Sequence, residues 1–269
     1  MKIIRFADEN GNERFGNLLA DGTAELLEGL LLTGLELTSE IVEVGELLPP
    51  IRPTVIRGIG LNYRHHAEES GAKIPNYPIL FVKTPNTLLA PGAPIEIPTV
   101  LASNEVDYEC ELAVIIGKTC KNVSREDALD YVLGYSCAND VSARDWQIKY
   151  GGGQWCRGKC FDTFCPIGPC IVTPDEIPNP NNLAIQTKLN GEVVQSWNTS
   201  DMIFDVPALI EFLSGSTTLL PGTVILTGTP HGVGMARTPK LWLKDGDTVT
   251  IEIENIGQLT NPVQNESAN

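Results

Sequence analysis

The hydrophobic and polar positions of this chain form many short patterns that are typical of β-strands. Between residues 247 and 254, Val249, Ile251 and Ile253 alternate with polar residues, which predicts a strand with one buried face. Continuous apolar and β-branched runs bounded by turn residues predict further strands. These runs occupy residues 54–59, 79–83, 106–117, 135–139 and 223–227.

Helical patterns are fewer and shorter. Asp205 has the character of an N-cap, with Pro207 in the first turn, and an apolar stripe with helical spacing follows. This stripe consists of Val206, Leu209, Ile210 and Leu213. Further short helices are predicted over residues 40–48 and 62–71, from Ser124 to Gly134, and from Ser142 toward Tyr150. Because strands dominate and do not alternate regularly with long helices, the pattern favours a β-rich α+β fold over a Rossmann or TIM-barrel architecture.

The N-terminal residues are predicted to form a small unit of their own. Their first strands have the pattern of a β-hairpin, and the predicted helix over 40–48 is followed directly by two prolines. Proline cannot continue a helix, so residues 49–53 are a candidate junction. The sequence therefore predicts a small N-terminal α+β domain over residues 1–53 and a larger catalytic domain over residues 54–269.

Charge and hydropathy narrow the classes of function. The chain of 269 residues carries 34 acidic and 19 basic side chains, which gives a formal net charge of −15. A nucleic-acid-binding protein needs a basic face, and an anionic membrane repels an acidic one, so neither partner is expected. No apolar run approaches the roughly 18 residues of a membrane-spanning helix, and the first residues lack the features of a secretory or transit peptide. A cytoplasmic location is therefore expected.

The cysteines do not indicate a disulfide framework or a zinc site. Seven cysteines are an odd number in a long chain, which favours reduced thiols in an intracellular protein. Four of them cluster between residues 156 and 170, but their spacing lacks the C-x-x-C pairs of structural zinc sites. We expect these side chains to pack as small hydrophobic residues.

Two glutamates, Glu109 and Glu111, lie two residues apart beside one of the most apolar runs of the chain. Their side chains would share one strand face, and burying such a pair requires water, basic partners or a metal cation. An exposed strand face is the alternative interpretation of this pair alone, whereas Cys110 between them should point to the opposite face. Asp140, which follows the strand at 135–139, adds a third carboxylate at a strand end, where functional residues concentrate. Three hard oxygen donors suit Mg²⁺, Mn²⁺ or Ca²⁺.

A histidine and a glutamate in the predicted helix over 62–71 have the spacing of a general base and its partner. His66 and Glu69 are three residues apart and would lie on one helix face. A carboxylate beside an imidazole fixes its tautomer and raises its basicity. A solvated helix face with incidental histidines is the alternative that the spacing leaves open.

Further polar residues have the chemistry of an anion-binding cleft. Arginine forms bidentate hydrogen bonds with carboxylates, and lysine supplies a compact positive charge. A single residue of either kind is more often an ordinary surface charge. The candidates of this kind are Lys83, Arg144, Gln147 and Lys159. A glycine-rich loop over 226–234 contains Thr229, and its hydroxyls and amides suit an anion, but it matches no phosphate-binding loop.

Six motifs in succession resemble the fumarylacetoacetate hydrolase family. In chain order they are GLNYRHHAEE, YECELAVIIG, NDVSARDWQ, GKCFDTFCPIGP, LNGEVVQ and TVILTGTPHGVG. They lie between about residues 54 and 263, and the stretch GGGQWCRGKCFDTFCPIGP most resembles the domain-containing members of the second type. The resemblance implies a mixed β-roll of the fumarylacetoacetate hydrolase type, a small N-terminal domain and a homodimer.

The resemblance also implies roles for single residues, carried over by matching motif positions. The implied ligands of a divalent metal, Mg²⁺ with Mn²⁺ or Ca²⁺ as substitutes, are Glu109, Glu111 and Asp140. The implied catalytic residues are His66, Glu69 and Lys159. The implied substrate-binding residues are Lys83, Arg144, Gln147 and Thr229.

The family implies a divalent-metal-dependent hydrolase that cleaves a C–C bond in a small, acylpyruvate-like 2,4-dioxo acid through a metal-bound enolate. Members of the second type resemble oxaloacetate keto–enol tautomerases, so tautomerisation or decarboxylation of oxaloacetate at the same metal site is the first alternative. A metal-stabilised binding protein without activity is the second alternative. In either enzymatic case the expected partner is a small dioxo or β-keto acid.

Overall fold

The computed structural model describes residues 1–267, and strands make up most of its regular structure. The strands in chain order are β1 (Lys2–Ala7), β2 (Glu13–Leu18), β3 (Ala24–Leu30), β4 (Gly34–Val42), β5 (Glu46–Leu48), β6 (Val55–Gly60), β7 (Ile79–Lys83), β8 (Leu88–Leu89), β9 (Ile95–Ile97), β10 (Val106–Asp107), β11 (Cys110–Ile116), β12 (Val132–Asn139), β13 (Ser142–Ala143), β14 (Cys165–Val172), β15 (Ala184–Leu189), β16 (Glu192–Asn198), β17 (Thr223–Leu226), β18 (Thr248–Ile253) and β19 (Gly257–Asn265).

The helices are few and short. They are α1 (Arg64–Glu69), α2 (Cys156–Lys159) and α3 (Val206–Ser214), with a π-helical turn at Asp145–Tyr150 and 3₁₀ turns at Pro85–Thr87, Ala128–Tyr131, Thr199–Asp201 and Gly234–Ala236. In α3, Asp205 accepts a hydrogen bond from the Ala208 amide as the N-cap, and all four residues of the predicted apolar stripe are buried. The prediction of this helix is confirmed.

Two large sheets enclose the main core. The larger has twelve strands, ten of them in the order β4-β3-β2-β1-β14-β12-β11-β17-β6-β7, and the smaller has the order β16-β15-β18-β19-β9. Strand β11 lies centrally in the larger sheet, between β12 and β17, and all seven of its residues are buried. One face of β11, with Cys110, Leu112 and Val114, joins the main core together with β15, β18, β19 and α3. The ends of β11 and β12 therefore lie deep in the molecule, where solvent screens charge weakly.

The N-terminal region differs from the prediction because it contains no helix over 40–48. Those residues instead complete β4 and form β5, which pair with β3 and β1. Gly45 separates the two strands, and a β-carbon there would lie 2.0 Å from the Ala7 carbonyl oxygen. Pairing with neighbouring strands thus outweighs the local helical pattern. Strand β1 also pairs with β14, so residues 1–48 extend the larger sheet, and the division at residues 49–53 stays a prediction.

Two other predicted helices are replaced largely by strands. The segment from Ser124 to Gly134 contains one 3₁₀ turn before β12 begins at Val132, because the Val132 backbone pairs with Ile116 of β11. Ser142 and the next residue pair with β10 as β13, and only the following π-helical turn is helical. The backbone groups of these residues are hydrogen-bonded to other strands instead of within a helix, and short-range sequence patterns do not contain this pairing.

Candidate metal and proton-transfer site

The three predicted metal ligands lie together where β11 and β12 meet. Glu109 and Glu111 flank Cys110 at the start of β11, and Asp140 follows the last residue of β12. The pairing of Cys110 with Asn139, and a 2.9 Å hydrogen bond from the Asp140 amide to the Glu109 carbonyl, fix this register. One carboxylate oxygen from each of the three acids lies within 4.8 Å of the others, and all three residues are buried.

Three basic side chains surround this carboxylate cluster. The Lys159 ammonium group donates to Glu109 at 2.7 Å and to Asp140 at 2.5 Å. Lys83 donates to the other oxygen of Asp140 at 2.6 Å, and Arg144 pairs with Glu109 at 2.7 Å. Because these pairs are buried, each charge is compensated locally rather than by solvent. Glu109 and Asp140 therefore have cationic partners within the protein.

Glu111 differs from the other two acids because no basic side chain of residues 1–267 lies within salt-bridge distance of it. Its carboxylate accepts one hydrogen bond, from the Gly228 amide at 2.7 Å. Burial, together with the charges of Asp140 and Glu109, raises the pKa of Glu111 well above its usual range. Burial also disfavours charge on Glu109, but the positive charges of Lys159 and Arg144 outweigh burial and lower the pKa of Glu109.

The donor set fits a hard divalent cation. Three buried carboxylates converge, and a cation among them would offset the repulsion that falls on Glu111. The Cys110 thiol takes no part, since its sulfur lies 3.3 Å from the Gln186 carbonyl on the opposite strand face. The prediction that Cys110 is a packing residue is confirmed, and the identity of the metal stays a prediction.

The predicted histidine–glutamate pair is formed in α1. His66 Nδ1 lies 2.7 Å from a Glu69 carboxylate oxygen, and the other oxygen of Glu69 accepts from the Gly232 amide at 2.9 Å. His66 is buried, so this face of α1 is not the solvated one that the spacing left open. The start of α1 is anchored by Asp201, which accepts from the His65 amide at 3.1 Å and contacts the His65 ring nitrogen Nδ1 at 2.9 Å. The helix therefore presents His66 in a defined orientation.

A small cavity of about 150 Å³ brings these groups together. Its polar lining residues are His66, Ser70, Glu109, Glu111, Arg144, Gln147, Lys159 and Thr229. Six of the seven predicted catalytic and substrate-binding residues are thereby placed in or beside one cavity, with Glu69 behind His66. Lys83 is not among the lining residues, because its fully buried ammonium group is engaged by Asp140 and by the Val141 carbonyl.

Asp107 is a further site residue that the sequence analysis missed. It is fully buried, and its carboxylate accepts from Arg144 Nε at 2.9 Å and from the Gly234 amide at 2.7 Å. Arg144 in turn donates to the Gln147 side chain at 3.0 Å. The spacing of Asp107 two residues before Glu109 continues the alternation of acids and is a signal that could have indicated it.

Gln195 is the second residue that was missed. Its side-chain amide donates to Thr229 Oγ1 at 2.9 Å and to the Pro230 carbonyl at 2.8 Å. Its carbonyl oxygen accepts from the Cys110 amide at 3.0 Å and from Thr187 Oγ1 at 2.7 Å. Gln195 thus joins the glycine-rich loop to the strand that bears the two glutamates. Gln195 ends the motif LNGEVVQ, but the sequence analysis predicted no strand there, and a single glutamine carries no signal of this role.

Known proteins have similar sequences and a similar fold. The family model described as fumarylacetoacetate (FAA) hydrolase C-terminal matches residues 55–264. The chain is 51% identical over 218 residues to oxaloacetate tautomerase fahd2, mitochondrial, of Xenopus laevis, covering 81% of this chain and 68% of that protein. A fumarylacetoacetate hydrolase structure from Exiguobacterium antarcticum has a TM-score of 0.88 and 36% identity, covering 99% of this chain and 100% of that one. A 2-hydroxyhepta-2,4-diene-1,7-dioate isomerase structure from Mycobacterium marinum has a TM-score of 0.84 and 40% identity, with full coverage of both chains.

The relatives and structural neighbours of this chain are named as enzymes that act on small molecules. The chain belongs to the fumarylacetoacetate hydrolase family, as its motifs indicated. The predicted fold class is confirmed, with mixed sheets and few helices. Within residues 1–267, no helix has both the length and the apolar character needed to cross a membrane. The Xenopus relative is named as mitochondrial, so the cytoplasmic location stays a prediction, as does the homodimer.

Proposed function

We propose that this protein is a divalent-cation-dependent keto–enol tautomerase of oxaloacetate or a closely similar β-keto acid, with Mg²⁺ as the expected cation. The observation that carries the proposal is the placement of His66 on the same small cavity as Glu109, Glu111 and Lys159. Tautomerisation needs a group that moves a proton at C3 and a positive environment for the oxygen at C2. The name of the Xenopus relative supports the choice of substrate.

His66 is the group that we propose moves the proton. Its Nδ1 is engaged by Glu69, so Nε2 is the ring nitrogen that serves the substrate. In the direction from ketone to enol, Nε2 takes the C3 proton, the electrons of that C–H bond form the C2–C3 double bond, and the C2 oxygen takes a proton from water. The Glu69 carboxylate stabilises the imidazolium that forms. A positioned base of this kind accelerates a reaction about 10²–10⁴-fold.

The remaining residues hold the substrate and its surroundings. Glu109, Glu111 and Asp140 would hold the cation, which when bound supplies Lewis-acid polarisation of the substrate carbonyl. Lys159 adds positive charge at the cavity, and Lys83 holds Asp140 in place rather than contacting the substrate.

The substrate carboxylate is proposed to be received by uncharged donors and by the edge of one guanidinium group. The Gln147 amide and the Thr229 hydroxyl line the cavity, and Arg144 lies beside them, already paired with two acids of the protein. Hydrogen bonds to charged groups contribute about 1.5–3 kcal/mol each, enough to orient a small acid.

Hydrolysis of a C–C bond in an acylpyruvate, the main prediction from sequence, is the second candidate. Nε2 of His66 is equally suited to deprotonate a water, and the Exiguobacterium neighbour is named a fumarylacetoacetate hydrolase. Hydrolysis requires that this water attack a carbonyl carbon, whereas tautomerisation and decarboxylation of oxaloacetate do not. A binding protein without activity offers no reason for a buried histidine paired with a glutamate beside the carboxylate cluster.

The proposed proton transfer is tested by two variants of α1 and a control. His66→Asn and Glu69→Gln are expected to slow the enzyme-catalysed decay of enol-oxaloacetate, the first by about 10²–10⁴-fold, because the proton acceptor or its partner is lost. Glu68→Gln is the matched control, since Glu68 is exposed on the same helix and does not line the cavity. The decay is followed by ultraviolet absorbance of the enol. A His66→Asn variant with the wild-type rate would rule out this role.

A further inference from the structure

The cavity has an apolar part as well as a polar one. Its apolar lining residues are Ile59, Leu61, Phe81, Ile148, Trp155 and Met235. Trp155 has the largest side chain of this group, and it directly precedes α2, which carries Lys159. The size of the apolar part therefore depends strongly on where the Trp155 indole lies.

The indole of Trp155 has a defined position. It rests on Gly60 at the end of β6, where an added β-carbon would lie 2.0 Å from Cζ3 of the indole. A side chain at position 60 would displace the indole, so this contact requires glycine. The indole also meets Phe81 of β7 in a tilted arrangement, with ring centroids 6.1 Å apart. Two neighbouring strands thus hold Trp155 against the cavity.

The basic groups that line the cavity are already paired with acids of the protein. Arg144 pairs with Asp107 and Glu109, and Lys159 pairs with Glu109 and Asp140. An ionised group buried among apolar side chains without a partner carries a large free-energy penalty. The apolar part of the lining is therefore suited to an uncharged hydrocarbon substituent, whereas the carboxylates of the substrate belong at the polar part.

We propose that Trp155 is a specificity-determining residue that limits the size of an apolar substituent at C3 of the substrate. This proposal rests on the proposed tautomerase function. A cavity of about 150 Å³ suits an acid as small as oxaloacetate, and the indole occupies the space into which a larger alkyl group would extend. Shortening Trp155 enlarges the apolar part and leaves the carboxylate cluster and the His66–Glu69 pair in place.

The test compares kcat/KM for enol decay of oxaloacetate, 3-methyloxaloacetate and 3-isobutyloxaloacetate. For wild-type enzyme we expect a preference of about 100-fold for oxaloacetate over the isobutyl compound. Trp155→Ala is expected to reduce this preference at least about tenfold, because even one extra methylene group in a filled hydrophobic pocket changes rates by about 10–200-fold. Trp242→Ala is the matched control, since Trp242 is a half-buried tryptophan that does not line the cavity, and it should keep the wild-type preference.

A second variant keeps the test decisive if Trp155→Ala does not fold. Trp155→Phe retains an aromatic ring beside Phe81, and it should shift the preference toward the 3-methyl compound. The proposal would be overturned if a folded Trp155 variant kept the wild-type ratio of kcat/KM between oxaloacetate and the isobutyl compound. It would also be overturned if the wild-type enzyme accepted the isobutyl compound as readily as oxaloacetate. These results differ from failure of the tautomerase function, in which wild-type enzyme accelerates the decay of no enol and both proposals fall together.

Discussion

Glu109 and Glu111 share one face of a strand but differ in their charge partners. Glu109 forms ion pairs with Lys159 and Arg144, whereas the one hydrogen bond to the Glu111 carboxylate among the described residues comes from the Gly228 amide. The two glutamates are chemically identical, so this difference comes entirely from the tertiary structure. It implies opposite effects when each is neutralised in the absence of a cation.

In EDTA, Glu109→Gln is expected to lower the free energy of unfolding by about 3–5 kcal/mol, because it removes one carboxylate partner from each of two buried cations, Lys159 and Arg144. Glu111→Gln should keep or raise the free energy of unfolding under the same conditions, because it removes a buried acid that has no ion-pair partner and is repelled by Asp140 and Glu109. Urea unfolding of both variants and wild type measures the difference. Both variants should also lose Mg²⁺ binding in calorimetry. Equal destabilisation by the two changes would contradict the charge arrangement described for the site.

At this scale the sequence predicted the acids better than their partners. A shared site could be predicted from the spacing of Glu109 and Glu111 and from the position of Asp140 after a strand. Side chains two residues apart on a strand point to the same face. Lys83 was expected to contact substrate, yet it lies behind Asp140. Its position depends on the pairing of β7 with β6, which no local pattern reports. The roles of all these residues stay proposals.

At the scale of secondary-structure elements, β16 connects the smaller sheet to the site through Gln195. The Gln195 side chain forms four hydrogen bonds, and its partners are Cys110, Thr187, Thr229 and Pro230. Two of these partners belong to the loop after β17, and one belongs to β11. Loss of the amide would leave several buried polar groups without partners.

We therefore expect Gln195→Met, a change of similar size, to lower the free energy of unfolding by at least about 1–3 kcal/mol. Gln186→Met is the control, because Gln186 on the adjacent β15 is only half-buried and bonds to Glu252 near the surface. Gln186→Met should lower the free energy of unfolding by less than about 1 kcal/mol. Thermal or urea unfolding distinguishes them, and similar values for the two variants would argue against a linking role for Gln195.

Helix α1 is the second element on which the site depends. Asp201 holds its first turn through the amide and the ring of His65. Asp201→Ala should slow enol decay about 10–100-fold at saturating substrate, because small displacements of a catalytic group have effects of this size. Asp201→Asn retains one acceptor oxygen and should recover part of the rate. A wild-type rate for Asp201→Ala would show that His66 is positioned without this contact.

Helices and strands were predicted correctly where a single apolar stripe or a single buried strand face determines the type of element. The apolar stripe of α3 and the alternation in β18 are both observed as predicted. Residues 40–48 and the segment after Ser124 were predicted as helices and are mainly strands and turns. In each case the deciding interaction is pairing with a strand distant in sequence, which the local pattern does not contain.

At the scale of the whole molecule, an acidic chain concentrates scarce positive charge at one buried place. Of 19 lysines and arginines in a chain with net charge −15, three surround the carboxylate cluster, and they come from β7, the π-helical turn region and α2. Strands β11 and β12 supply the acids, and the smaller sheet secures the glycine-rich loop. The site therefore exists only in the folded chain, which explains why its parts are spread over more than 150 residues of sequence.

The most direct measurement follows two reactions with one enzyme preparation, the decay of enol-oxaloacetate and the C–C cleavage of an acylpyruvate, each with Mg²⁺ and with EDTA. If the protein is a cation-dependent tautomerase, enol decay is fast with Mg²⁺, falls to the uncatalysed rate in EDTA and returns when Mg²⁺ is restored, while the acylpyruvate stays intact. Rapid acylpyruvate cleavage without any acceleration of enol decay would contradict this function.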